Sequence, residues 1–221
     1  MNLVLGAVDC IHPYLALKAL LRSQSELGDV KAKLFTHVDI EVPLSIEVVK
    51  IEELKSGEAV SKWMLLEYAK YIREDQHLLN IQADGFVVNG DSWTNEFLDY
   101  DYIGAPWKLH PHHEWPPFPN VTVENQIGNG GFSLRSHKLM SVVSKIFYLA
   151  LESKQVANSL EYHPEDCWIC RTQGAKLRKM GLKFAPYELA TKFSVENGPI
   201  KSQLGFHGKE TMNMNPNRTE L

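Results

Sequence analysis

Short apolar runs rich in Val, Ile and Phe alternate along this chain with longer stretches of helical periodicity, and that alternation admits few folds. Strands that are apolar on both faces need helices to cover them, so the succession predicts an α/β sheet. Leu3–Val8 reads as the first strand and Tyr14–Ser23 as the helix that returns across its face. Val30–Thr36 and Ile46–Ile51 follow as strands, separated by a loop at Asp39–Pro43. From Val60 to Ile72 the apolar positions, Trp63, Met64 and Tyr68 among them, recur at helical spacing behind a start at Ser56-Gly57. In His77–Asn89 two apolar stretches flank the polar break Gln82-Ala83-Asp84-Gly85. A strand stopping at such a turn presents it at the carboxyl end, where open α/β sheets bind ligands.

Pro111, Pro116, Pro117 and Pro119 make Lys108–Pro119 a loop. Beyond it the pattern predicts a strand and turn around Gln126–Leu134, helices over Ser141–Ser153 and about Glu165–Met180, and a short strand at Leu182–Pro186. The polar end, residues 209–221, is expected to fray. No internal repeat or linker divides the chain, so residues 1–208 are expected to form one domain.

With 221 residues, 44% of them hydrophobic, the chain can bury one sizeable core. Its 23 basic and 27 acidic residues leave a formal charge of −4, which argues against nucleic acid as a partner held by the whole surface. No apolar run approaches the length that spans a bilayer, and the N-terminal MNLVLGAVDC lacks a basic leader region and a cleavage site. Any membrane contact is therefore expected to be peripheral. Cys10, Cys167 and Cys170 are an odd number in a chain too large to need disulfides, which suggests a reducing cytoplasm. Cys167-Trp168-Ile169-Cys170 has redox spacing but sits inside an expected helix, so both cysteines read as structural. His110, His112 and His113 match no structural zinc pattern.

Several segments carry chemistry-bearing residues, each with a plainer reading beside it. Asp84, next to Gly85, is placed to hold a divalent cation or simply to make a turn. In QIGNGGFSLR, Gly128, Gly130 and Gly131 can expose backbone N–H groups and Asn129 adds an amide, although the same residues would suit a tight hairpin. Glu165 and Asp166, after His163-Pro164, suit a helix start electrostatically; a rigid carboxylate there also suits a general base or a grip on a sugar hydroxyl. His207 lies between glycines and off any apolar face, which favours a metal or phosphate contact over core packing.

Taken in order, these segments resemble nucleotide-sugar glycosyltransferases of the GT-A fold, distantly the glycogenin-like enzymes. IQADGFVVN, FLDYDYIGAPW, GNGGFSLRS, the PED segment with KFAPYELATKFSVE, and LGFHG more closely resemble an uncharacterised bacterial and viral glycosyltransferase-like family, over Val60 to Gly208. The resemblance implies a Rossmann-related mixed central sheet flanked by helices. About residues 1–100 would form the nucleotide-binding half and about 101–208 the acceptor half. It implies a nucleoside-diphosphate sugar as donor, a saccharide hydroxyl as acceptor, a Mn²⁺ or Mg²⁺ cofactor and a role in glycan synthesis.

Residue by residue, Asp84 matches the second, metal-binding acid of a D-x-D motif, and Gln82 stands where the first acid would be. His207 matches the histidine that completes the metal shell, and Lys62 the lysine that contacts the donor. Lys209 is a candidate to neutralise the diphosphate. Asn129, Gly130 and Gly131 match the lining of the sugar pocket, and Asp166, with Glu165 beside it, the acid that faces the transferred sugar. Asp9 and Asp39, at early strand ends, are candidate base or ribose contacts by topology. Glycosyl transfer leaves a diphosphate with added negative charge, which a divalent ion and lysines stabilise. A metal-dependent phosphoesterase, and a sugar-binding domain without catalysis, remain the alternatives.

Overall fold

A computed structural model describes residues 2–109 and 118–221. Its main sheet has six strands in the order β3-β2-β1-β4-β6-β5: β1 Leu3–Val8, β2 Lys31–Thr36, β3 Ile46–Lys50, β4 His77–Asn80, β5 Tyr102–Gly104 and β6 Ser133–Ser136. Strands β1 to β4 run parallel to one another, and β6 pairs antiparallel with both β4 and β5. The sheet is thus the mixed one that the GT-A resemblance implies.

Residues of β1 alternate between faces. Leu3, Leu5 and Ala7 enter the large apolar cluster that includes Ala16 and Leu20 of α1 (Pro13–Leu27). Val4 enters a second cluster on the other face, with Met64 of α2 (Gly57–Glu67), Tyr68 and Leu78. Burying both faces is what parallel strands require. Helix starts follow local chemistry. The Asp9 carboxylate accepts from the N–H groups of Ile11 and His12 ahead of Pro13, which suits a first helical turn. Ser56 caps α2, and Ser136 caps α3 (His137–Glu152), by accepting from Ala59 N–H and Leu139 N–H.

The expected early strands and the α1 and α2 helices are present, whereas later elements depart from the periodicity. Beyond Asn80 the chain leaves the sheet, and the apolar Phe86 and Val87 are buried in irregular structure rather than in a strand. The strand expected within Gln126–Leu134 begins only at Ser133, because residues 127–132 form the loop that reaches the site. The helix expected over Glu165–Met180 is broken. A short α4 (Glu165–Cys167) passes into a π-helical turn at Trp168–Thr172, and α5 (Gly174–Lys179) follows.

Leu182–Pro186 makes only a single bridge, Phe184 to Tyr102, before a helix that periodicity missed, α6 (Tyr187–Phe193). A two-stranded parallel sheet, β7 (Ser194–Glu196) with β8 (Gly205–His207), returns the chain to the turn after β4. The polar end does not fray. It forms α7 (Lys209–Met214) and α8 (Pro216–Thr219), anchored by the buried side chains of Thr211 and Thr219. Thr219 Oγ1 donates to the Met212 and Asn215 carbonyls, and Thr211 Oγ1 accepts from Asn197 N–H.

Candidate functional site

A cavity of about 480 Å³ opens at the carboxyl edge of the parallel strands. Because β6 runs antiparallel, the loop that precedes it arrives at this same edge. Gln82, Asn129, Gly130, Gly131, Glu165, Asp166 and His207 all line the cavity. Segments separated by up to 125 residues in sequence therefore share one site.

The glycine-rich loop is held from beneath. Asn80, the last residue of β4, donates to the Gly130 carbonyl at 2.8 Å and accepts from the Tyr68 hydroxyl at 2.6 Å. Gly130 N–H donates to Asp166 Oδ2 at 2.6 Å, and Cys167 N–H to Asp166 Oδ1 at 2.8 Å. A side chain at Gly130 would fall 2.6 Å from Glu165, so only glycine lets the loop lie on the two acids. Asn129 takes a left-handed φ of 63°, which asparagine tolerates.

The adjacent acids differ in their surroundings. Glu165 is held in a buried ion pair with Arg135, 2.7 Å from Oε1. Its other oxygen accepts from the Ser61 hydroxyl at 3.3 Å. Burial, and then the Glu165 charge, push Asp166 up to about 6, against the two N–H groups and the Arg135 charge that favour its anion.

His207 is the hub of a second cluster. Its Nε2 lies 3.3 Å from Gln82 Oε1 and 3.8 Å from Asp84 Oδ1. Its Nδ1 faces Glu196 Oε1 at 3.2 Å and the Asn129 amide at 3.1 Å. Burial pulls the imidazole pKa down, but the Glu196 hydrogen bond and the charges of Asp84 and Glu196 carry it above the usual histidine value. Gly131 passes directly against the His207 ring, where a Cβ would collide. Gln82 and Gly85 exchange backbone hydrogen bonds of 2.8 and 3.0 Å, so the plain turn and the ligand-edge placement expected for this tetrad are both present.

Among the described residues, no three His, Cys, Asp or Glu side chains form a ready metal cage. The local donors are nevertheless the oxygen and nitrogen atoms a hard cation takes. Asp84, His207 and the Gln82 carbonyl lie together, and Asn129 Oδ1 is buried with no hydrogen-bond partner. Such a set fits a Mg²⁺ or Mn²⁺ ion that keeps part of its shell for substrate phosphates.

The remaining predicted residues lie away from the cavity lining. Asp9 forms the α1 start, and Asp39 is exposed and paired with Lys50. Lys62 is exposed on α2 and Lys209 at the start of α7. His110, His112 and His113 fall outside the described residues. Cys167 and Cys170 are buried and unpaired, and burial raises both thiols far above the usual range, so neither is poised for redox chemistry.

The sequence reading missed Ser61, His163, Arg135, Trp107 and Arg171, all at or beneath the site. Arg171 is buried, donates to the Pro119 carbonyl at 2.6 Å and lies over the Trp107 and Phe118 rings. Arg135 stands between Leu134 and Ser136 in FSLRS, and those neighbours give no local signal of a buried ion pair.

The fold is that of known GT-A glycosyltransferases. The chain superposes on the galactosyltransferase LgtC, solved with donor and acceptor sugar analogues, with a TM-score of 0.59 at 13% identity, covering 99% of this chain and 94% of that one. An active-site mutant of LgtC matches with a TM-score of 0.54 at 13% identity, covering 95% and 87%. No curated protein matches in sequence. Residues 43–210 match the sequence model described as "Protein of unknown function (DUF5672)", and the chain belongs to that family.

Proposed function

We propose that this protein is a glycosyltransferase that moves a sugar from a nucleoside-diphosphate sugar to a saccharide hydroxyl, assisted by a divalent cation. The observation that carries this reading is the convergence of Gln82, Asn129–Gly131, Glu165, Asp166 and His207 on one cavity at the carboxyl edge of a GT-A sheet. A cavity of this size and mixed polarity suits a small polar ligand.

In this reading residues 1–100 contribute the nucleotide side and 101–208 the acceptor side. Asp84 and His207, with the Gln82 carbonyl, would hold the Mn²⁺ or Mg²⁺ ion. When bound, the ion supplies charge stabilisation for the departing diphosphate. Lys62 and Lys209, outside the cavity lining, would add positive charge at longer range, and Asp9 and Asp39, just beyond early strand ends, would approach the nucleoside. Asn129, Gly130 and Gly131 line the sugar site, where Asp166 grips a hydroxyl of the transferred sugar. Glu165, already committed to Arg135 and Ser61, is a positioning residue.

Isothermal titration of UDP, GDP and dTDP, with and without Mn²⁺, tests the proposal. One nucleotide should bind, more tightly with metal, and Asp84→Asn and His207→Ala should remove the metal-dependent part. Failure of all three to bind, together with no detectable donor hydrolysis, would sink it. Gln82 in place of an acid favours a second reading, in which the domain binds sugar without turnover. Saccharide binding with no transfer, unchanged in Gln82→Asp, would select that reading.

A further inference from the structure

Direct attack by an acceptor hydroxyl needs a group that takes its proton. None of the three acids that line the cavity is uncommitted. Glu165 is tied to Arg135 and Ser61, both Asp166 oxygens accept backbone N–H bonds, and Glu196 is paired with His207. His163 also lines the cavity, half-buried, with its Nδ1 2.7 Å from Ser61 Oγ. Ser61 is 2% exposed and has a single hydroxyl proton to give.

The contest for that proton is decided by charge. Glu165 is ion-paired with Arg135 at 2.7 Å, and a carboxylate oxygen in such a pair can only accept. Ser61 therefore donates to Glu165 Oε2 and accepts from His163, which puts the imidazole proton on Nδ1 and leaves Nε2 with a free lone pair. Nε2 and Cε1 form the ring edge nearest Gly57, where a side chain would press against them at 2.9–3.2 Å. With glycine at 57, no side chain from that position covers the edge.

From this relay we infer that His163, held as its Nδ1–H tautomer by Ser61 and Glu165, is the proton acceptor for the incoming saccharide hydroxyl. The inference rests on the glycosyltransferase reading. In the transfer step the hydroxyl oxygen bonds the anomeric carbon and its proton moves to His163 Nε2. The anomeric carbon–phosphate oxygen bond breaks, and its electron pair leaves with the nucleoside diphosphate. The resulting imidazolium shares its charge through Ser61 with Glu165, and it returns the proton to water after product release.

The first experiment needs no turnover. The full chain, labelled with ¹⁵N-histidine, is recorded at alkaline pH, and His163 is assigned from the signal lost in His163→Gln. The expected spectrum has His163 protonated at Nδ1 and bare at Nε2, and Ser61→Ala should move the proton toward Nε2. An Nε2–H tautomer in the unmodified protein overturns the inference. The second experiment measures transfer from whichever nucleotide sugar binds to a panel of methyl glycosides. His163→Gln should lower kcat about 100-fold with nucleotide Kd unchanged; unaltered transfer overturns the role. Nucleotides that fail to bind the unmodified protein would defeat the glycosyltransferase reading and leave the tautomer result to be judged alone.

Discussion

Two stretches of this molecule are built on different principles. From Leu3 to Asn80 the chain forms four parallel strands with helices packed on both faces, and its buried polar residues, such as Ser23, Thr36 and Asn80, are uncharged. Beyond Asn80 the strands shrink to three or four residues, and every buried charged side chain among the described residues lies there: Asp101, Arg135, Glu165, Asp166 and Arg171. Both stretches bury apolar area, and the second also buries charges: Arg135 and Glu165 satisfy each other, whereas Asp101, Asp166 and Arg171 are satisfied by hydrogen bonds. The proposed phosphate and sugar site would need such charges, and irregular loops on a rigid sheet are where they can be presented.

The sharpest way to break that contrast is to remove one charge. Arg135→Leu leaves Glu165 buried and unpaired, so it should cost about 3–5 kcal/mol in denaturant unfolding, despite the apolar replacement. In the other stretch Leu20→Ala opens a cavity beneath α1 and should cost about 2–5 kcal/mol. Nucleotide affinity of the folded protein should survive the second change and suffer in the first, because Arg135 contacts a site acid and Leu20 does not.

A subtler comparison uses pH. Asp166 has its folded-state pKa raised to about 6 from an ordinary 3.8, so the folded form holds its proton longer than the unfolded chain. Its contribution to stability is therefore full below about pH 4 and is lost as pH rises through about 6, a loss on the order of 3 kcal/mol. Stability curves of the unmodified protein and Asp166→Asn should diverge across that window, with the unmodified protein falling relative to the variant. If sugar gripping needs the anion, transfer should decline as pH drops below about 6, with kcat tracking the same window.

Smallest in stability, and most telling for the site, are the exposed lysines of α2 and α7. Lys62→Ala and Lys209→Ala are exposed changes that should stay within about 0.5 kcal/mol in unfolding. Both should weaken binding of the preferred nucleoside diphosphate in calorimetry, more at low salt than at high. Unchanged binding in both would leave these lysines as ordinary surface.

The regular stretch was legible because its elements are written in local periodicity. Leu3–Val8 and the apolar face from Val60 can be read within their own windows, and Ser56 signals the helix start that follows it, whereas Asp9, read as a ligand contact, opens α1. The site was legible in its residue types but only partly in its connections. Asn129, Asp166 and His207 stand at or beside turns, whereas the missed residues Ser61 and Arg135 lie in a helix and a strand, where their polarity looks incidental. Periodicity misled most over Glu165–Met180, where apolar spacing ran on while the backbone switched to a π-helical turn. It misled again at the polar end, where buried threonines anchor α7 and α8.

By itself, then, the sequence determined the alternating α/β order, the two-sided burial of the early strands and the kinds of side chain available for chemistry, because these follow from spacing and local backbone preference. Only the tertiary structure decided which acid is neutralised by Arg135, which carries a raised pKa, and that His207 closes on Gln82 and Asp84 from the far end of the chain. Those outcomes depend on charge, burial and distance between segments remote in sequence, and a linear pattern encodes none of the three.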